Sequence, residues 1–232
     1  ILDATDCYVI PGLTDIHFHG AVGYDFCDGT EEAIQAIADY EASVGVTTIV
    51  PATMTFSEDK LTEIAKAANA KKKEKGAILC GINMEGPFIS LAKKGAQNGK
   101  YIHRPDVEMF DRLQKEAGGL FKLVDIAPEV DGAMEFIKAK KGEVVLSLAH
   151  TNTDYDTAKA AIEAGVTHVT HLYNAMNPIN HRNPGPIIAA SDDDVCEAEL
   201  ICDNVHIHPA VVRNTLKMFG KDRVIFISDT MM

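Results

Sequence analysis

The sequence predicts a (β/α)8 barrel, and three observations carry that prediction. Eight short runs rich in β-branched residues recur at intervals of roughly 20–45 residues, with segments of helical spacing between them. Glycines stand where the helical segments should stop. Polar residues with chemical potential follow many of the strands, whereas an open doubly wound sheet would gather them at one switch point. A chain of 232 residues is near the size of one such barrel. No strand-Gly-x-Gly-x-x-Gly-helix unit or phosphate-binding P-loop is present.

The strands are expected at 13–17, 46–51, 77–84, 121–127, 144–148, 166–170, 196–202 and 224–228. An apolar run from Cys7, broken by Pro11-Gly12, leads into the first. Helical spacing follows in Ile34, Ile37 and Ala38, then in Leu61, Ile64, Ala65 and Ala68. It returns in Val107, Phe110, Leu113 and Gln114, in Met134 and Ile137, in Tyr155, Ala158 and Ile162, and in Val212, Leu216 and Phe219. Gly45, Gly76, Gly118, Gly142, Gly165 and Gly220 are the stops. The lysine-rich stretch 71–75 reads as the solvated end of a helix, where cations suit the dipole.

Composition narrows the function. A net charge of −12 argues against a general binder of nucleic acid or membrane surfaces, though one local arginine can still hold an anionic small molecule. The apolar runs are too short to span a bilayer, and no signal-peptide pattern opens the chain. Five scattered cysteines without a C-x-x-C pair suit reduced thiols in a cytoplasmic protein. The chain starts at Ile1 and stops at Met232, so 1–232 is expected to be one barrel domain cut from a longer protein.

In such barrels the site lies at the carboxyl ends of the strands. The first strand delivers His17 and His19, which an extended segment would point to one side. The third delivers Glu85, the fifth His150, the sixth His171, the seventh Asp203 and His206, and the eighth Asp229. Each alone has an ordinary structural explanation; their arrival at one rim points to a divalent metal. Imidazole and carboxylate donors suit zinc first, with iron(II) and manganese as the other candidates. His103, His168, His181 and His208 fall away from this rim and read as structural or solvated.

The stretches Pro11-Gly12-Leu13-Thr14-Asp15-Ile16-His17-Phe18-His19-Gly20, Glu85-Gly86-Pro87-Phe88, Lys93-Lys94-Gly95-Ala96, His171-Leu172-Tyr173-Asn174-Ala175-Met176, Arg182-Asn183-Pro184-Gly185, Asp203-Asn204-Val205-His206 and Ser228-Asp229 resemble the amidohydrolase superfamily. Within it, they are most similar to the deacetylases of N-acetyl amino-sugar 6-phosphates. The resemblance implies hydrolysis of the acetamide of N-acetyl-D-glucosamine 6-phosphate, a step of amino-sugar breakdown and recycling. It implies that Glu85, His150 and His171 bind a principal metal, and that His17 and His19 supply a second site with Glu85 bridging, for one or two ions in all. Ala96, Asn174 and Ala175 would contact the sugar, and Arg182 the 6-phosphate. Asp203 and His206 would serve substrate binding, with His206 near the reacting amide, and Asp229 would be the acid/base. The family commonly has glycine after the aspartate of the seventh strand; Asn204 stands here, and asparagine tolerates a left-handed backbone. A small β-sandwich domain and a final helix, which the family builds from flanking segments, are expected to lie outside this chain. Family precedent further suggests a homodimer, with Gln97 and Asn98 reaching the neighbour's phosphate site.

Other readings are weaker. Cyclic amidases often use a carbamylated lysine on the fourth strand, but Lys122 sits at that strand's start. A deacetylase of the galacto epimer is not separated by these residues. A non-catalytic sugar-phosphate sensor should have lost a ligand or Asp229, and a closed structural zinc site needs four ligands, not seven polar groups.

Overall fold

A computed structural model of the chain describes residues 3–71 and 75–232; residues 72–74 of the lysine-rich stretch lie outside the described residues. The elements run β1 (Leu13–Asp15), β2 (Gly20–Ala21), β3 (Tyr24–Asp25), α1 (Glu31–Ser43), β4 (Val46–Ile49), α2 (Glu58–Ala70), β5 (Ile78–Leu79) and β6 (Ile82–Met84). Then follow α3 (Val107–Glu116), β7 (Phe121–Ile126), α4 (Ala133–Lys140), β8 (Val145–Leu148), α5 (Tyr155–Ala164), β9 (His168–Val169), α6 (Gly185–Ser191), β10 (Glu197–Ile201), α7 (Pro209–Phe219) and β11 (Val224–Ile227).

Apart from the β2–β3 hairpin, every pair is parallel, in the orders β1-β4-β5 and β6-β7-β8-β9-β10-β11. Two sets of hydrogen bonds join these arcs. Asn83 N–H donates to Pro51 O and Thr53 N–H to Asn83 O, both at 2.9 Å. On the other side Asp229 N–H donates to His17 O at 3.0 Å, and His19 N–H to Thr230 O at 2.7 Å. The sheet therefore curls back on itself, in the form of a TIM-like barrel.

Three expectations are corrected. The run 77–84 is two short strands, because the ladder breaks at Cys80-Gly81 and shifts register between Ile82 and Asn83. The first strand ends at Asp15 rather than at residue 17, and Tyr8, Val9 and Ile10 before it are exposed. A seventh helix, α6, forms beyond the six expected from helical spacing; Pro186 sits in its first turn, where its missing N–H costs nothing.

Period-2 alternation divides the strands between two environments. Leu146, Leu148, Val169, Ala198 and Leu200 join the apolar cluster shared with the helices. Ser147, His168 and Glu199 alternate to the opposite side, and all three are buried. The helices start where side chains cap them: Thr30, Ser57, Asp106 and Asp154 each accept from a backbone N–H three residues on. Between α3, α4 and the sheet, the Phe136 ring lies 5.1 Å from Phe88 and 5.8 Å from Phe110, all three fully buried. Phe136→Ala would leave a cavity that rigid neighbours cannot close. It is expected to cost about 3–5 kcal/mol, lowering the thermal midpoint by on the order of 10 °C in a melt followed by circular dichroism.

Candidate active site

The rim residues sit just beyond their strands, where the backbone leaves the ladder. His150, His171, Ala175, Asn204 and Asp229 all have positive φ, at 43°, 29°, 50°, 64° and 50°. Left-handed conformations of non-glycine residues are strained and persist where the surroundings over-determine them. Gly86 shows the same pressure from the other side. Its φ is 79°, and a Cβ there would fall 2.0 Å from Thr55 Oγ1, so only glycine brings Glu85 to the rim on this path.

Glu85 is the centre of the cluster. Its Oε1 lies 2.9 Å from His150 Nε2 and 3.1 Å from His171 Nε2, and those two nitrogens are 3.2 Å apart. His17 Nε2 stands 3.7 Å from the same oxygen, and His19 Nε2 3.4 Å from Oε2. Asp229 Oδ1 faces the pair from across, 3.4 Å from His19 Nε2 and 3.9 Å from His17 Nε2. All five ligand candidates are buried; Asp229 is half-buried.

Electrostatics follow from this packing. Burial pushes the Glu85 carboxyl up, but hydrogen bonds to His150 and His171 and the charges of His17 and His19 prevail and hold it well below the usual range. Burial likewise disfavours the cationic form of His17 and His150. Glu199 outweighs this at His17 and Glu85 at His150, leaving both raised. For Asp229, burial is overcome by the His19 hydrogen bond and by the charges of His17, His171 and His19, so its carboxyl is lowered.

The donor set fits a divalent metal. His17 Nε2 is buried with no hydrogen-bond partner, which is costly unless its lone pair is otherwise used. Two groups of ligand atoms, His17–Glu85–His171 and His17–His19–Asp229, each lie mutually within 4.8 Å. Glu85, His150 and His171 form the tighter set given above.

A cavity of about 360 Å³ opens over the cluster. His19, Glu85, His150, His171, His206 and Asp229 line it with Ala96, Asn174 and Ala175. Asp203 is exposed and does not line the cavity. Its Oδ2 accepts from His206 Nδ1 at 2.8 Å and its Oδ1 from the Val205 and His206 amides; these bonds, led by the His206 amide, lower its pKa to about 2. Arg182 is not brought to the cavity. It is exposed on the turn 180–183, its amide donating to Asn180 Oδ1. His168 is buried in the barrel interior, His208 caps α7, and the exposed His103 bonds Arg104 O; none of them lines the cavity. Lys122 is exposed at the start of β7 and donates to Gly119 O.

Gln97 is a correction. Rather than reaching outward, it is buried, accepting from Thr55 N–H and donating Nε2–H to Glu85 Oε2, both at 2.7 Å. The two bonds fix which way its amide points. Asn98 is exposed and accepts from the Lys100 amide. Sequence reasoning also misses Glu199, whose Oε2 is 3.0 Å from His17 Nδ1. The available signal was an acid flanked by Ala198 and Leu200 inside a buried strand, followed two and four residues on by Ile201 and Asp203.

Nitrogen and oxygen donors converging at the carboxyl mouth of a parallel barrel are the arrangement that metal-dependent barrel enzymes use. Residues 8–229 match the Amidohydrolase family, and the chain belongs to it. The N-acetylglucosamine-6-phosphate deacetylase of Bacillus subtilis (strain 168) is 38% identical over 232 residues, covering 97% of this chain and 59% of the relative. The N-acetylgalactosamine-6-phosphate deacetylase of Escherichia coli O157:H7 is 30% identical over 95% of this chain and 59% of its own. A mutant N-acetyl-D-glucosamine-6-phosphate deacetylase from Mycobacterium smegmatis, solved in complex with N-acetyl-D-glucosamine-6-phosphate, superposes with a TM-score of 0.91 at 33% identity, covering 96% of this chain and 58% of that one. The chain thus spans about three-fifths of the length of the relatives it matches.

Proposed function

We propose that residues 1–232 form the catalytic barrel of a deacetylase that hydrolyses N-acetyl-D-glucosamine 6-phosphate to D-glucosamine 6-phosphate and acetate. The observation that carries this reading is Asp229, an acid lining the same cavity as His19, Glu85, His150 and His171. Glu85, His150 and His171 would hold the principal metal, zinc by donor type, with His17 and His19 available to a second ion. A divalent cation there supplies Lewis-acid polarisation of the amide carbonyl and a more acidic water.

The chain's own residues do the rest. Asp229, lowered and therefore ionised at neutral pH, accepts the proton of the attacking water and returns it to the departing nitrogen. An ionised Asp203 only accepts hydrogen bonds, so His206 Nδ1 carries a proton and Nε2 is left for the substrate amide. Ala96, Asn174 and Ala175 form the wall against which the sugar rests. Arg182 lies outside the cavity, on the same loop as Asn174, and would supply the planar fork only for a 6-phosphate that extends beyond the cavity toward the turn 180–183. The small β-sandwich, a homodimer and a cytoplasmic setting belong to the same proposal; among the described residues no helix is long and apolar enough to cross a membrane.

The test is release of acetate from N-acetyl-D-glucosamine 6-phosphate and from its galacto epimer by the zinc-loaded protein. Turnover of the gluco substrate supports the proposal. Turnover of the galacto epimer alone reassigns the sugar, and turnover of neither removes the substrate assignment. Arg182→Met is expected to raise KM about 10–100-fold with kcat nearly unchanged, the loss of one charge-assisted phosphate contact. An unchanged KM would place the phosphate elsewhere.

A further inference from the structure

The barrel interior beneath the rim is polar rather than an apolar plug, with a hydrogen-bonded run from Asp125 to His168 and Glu199 above it. Thr170 Oγ1 donates to Asp125 Oδ1 at 2.6 Å, Ser147 Oγ lies 2.6 Å from Thr170 Oγ1, and His168 Nδ1 lies 2.8 Å from Ser147 Oγ. His168 Nε2 then faces Glu199 Oε1 at 3.7 Å. Every member is at least 98% buried. Such burial is costly, and the acid at its upper end makes contacts that nothing in the lower chain requires.

One oxygen of Glu199, Oε2, is 3.0 Å from His17 Nδ1 and accepts the His171 backbone N–H, also at 3.0 Å. It therefore joins the two rim histidines that come from opposite sides of the cluster, β1 and β9. An acceptor carboxylate at Nδ1 requires a proton there and directs the other nitrogen, Nε2, toward Glu85 and Asp229. With the proton on Nδ1, the Asn83 Nδ2 that lies 3.3 Å from it is a second donor and adds no hydrogen bond, so Glu199 alone accepts there. The bond to the His171 amide acts on backbone instead, holding that residue at its φ of 29°.

We propose that Glu199 is a positioning residue for metal binding, fixing the tautomer and plane of His17 and the strained backbone of His171. The inference rests on the reading of His17 and His171 as metal ligands. Glu199→Ala removes both acceptances. Glu199→Gln keeps the shape and an acceptor oxygen but loses the charge that raises imidazole basicity.

Zinc affinity would be measured by competition with a chromophoric chelator, beside nitrogen-15 NMR of the metal-free protein. The parent should show a slowly exchanging His17 Nδ1 proton, and Glu199→Ala should lose it. Zinc affinity should fall about 10–100-fold in Glu199→Ala and by a smaller factor, still more than twofold, in Glu199→Gln. Either variant binding zinc within twofold of the parent, or a protected Nδ1 proton surviving in Glu199→Ala, overturns the proposal. Should Glu199→Ala fail to fold, the affinity of Glu199→Gln decides. A parent that binds no zinc would sink the metal reading instead, while the Nδ1 proton still reports whether Glu199 holds the ring.

Discussion

Asp229→Asn is expected to lower kcat on N-acetyl-D-glucosamine 6-phosphate by about 10²–10⁴-fold, the usual worth of one positioned acid/base, with little change in KM. Asparagine keeps the size and hydrogen-bonding reach of the side chain but can neither take a proton from water nor give one to nitrogen. The geometry makes this the sharpest test of the mechanism, because Asp229 can be read two ways. Its Oδ1 groups with His17 and His19 as a ligand set, yet it also lines the cavity from the rim of the last strand. Metal content measured on the same samples separates the roles. A slow variant that retains its metal makes Asp229 the proton carrier. A slow variant that has lost metal makes it a ligand, and a variant with parental kcat excludes it from the chemistry.

What the sequence reveals of this site depends on whether a residue's role is local. Glu85, His150 and His171 are legible because each follows an apolar run, and a barrel sends whatever follows a strand to one rim. The convergence of His17 and His19 is legible for a less accurate reason. Alternation along an extended strand predicts it, whereas β1 ends at Asp15 and the two histidines are held by backbone bonds to residues 229 and 230. Those bonds join chain segments over two hundred residues apart, and no local pattern reports them. Glu199 is hidden for the same reason, since an acid inside a strand acquires meaning only when His17 and His171 arrive beside it. Gln97, which family precedent points toward a neighbouring subunit, is turned inward here, where its two hydrogen bonds to Thr55 and Glu85 compensate its burial. The residue α6 obscures is Arg182, whose position depends on how the turn before that helix packs.

Glu85→Gln is expected to lower zinc affinity by more than about 100-fold, exceeding the cost of changes one layer out, because this carboxylate faces four imidazoles at once. The same group governs how pH acts on the metal-free protein. Its folded pKa is depressed below 4.5, so its stabilisation is present above that value and is lost as pH falls through the folded one. His17 and His150 have folded values raised above 6.5. Their contribution is complete below 6.5 and disappears as pH rises through the raised values. The metal-free protein should therefore weaken as pH climbs from 6.5, while zinc, which needs unprotonated imidazoles, binds better over the same range. Thermal melts with and without zinc between pH 5.5 and 8.5 should show a zinc-induced rise in midpoint that grows with pH. In Glu85→Gln that rise should vanish. Removing the carboxylate that faces all four buried imidazoles should also cost the metal-free protein roughly 3–5 kcal/mol near neutral pH. A zinc shift of the same size at every pH would contradict the assignment of protonated His17 and His150 to the metal-free site, since protons and metal would then not compete for the same nitrogens.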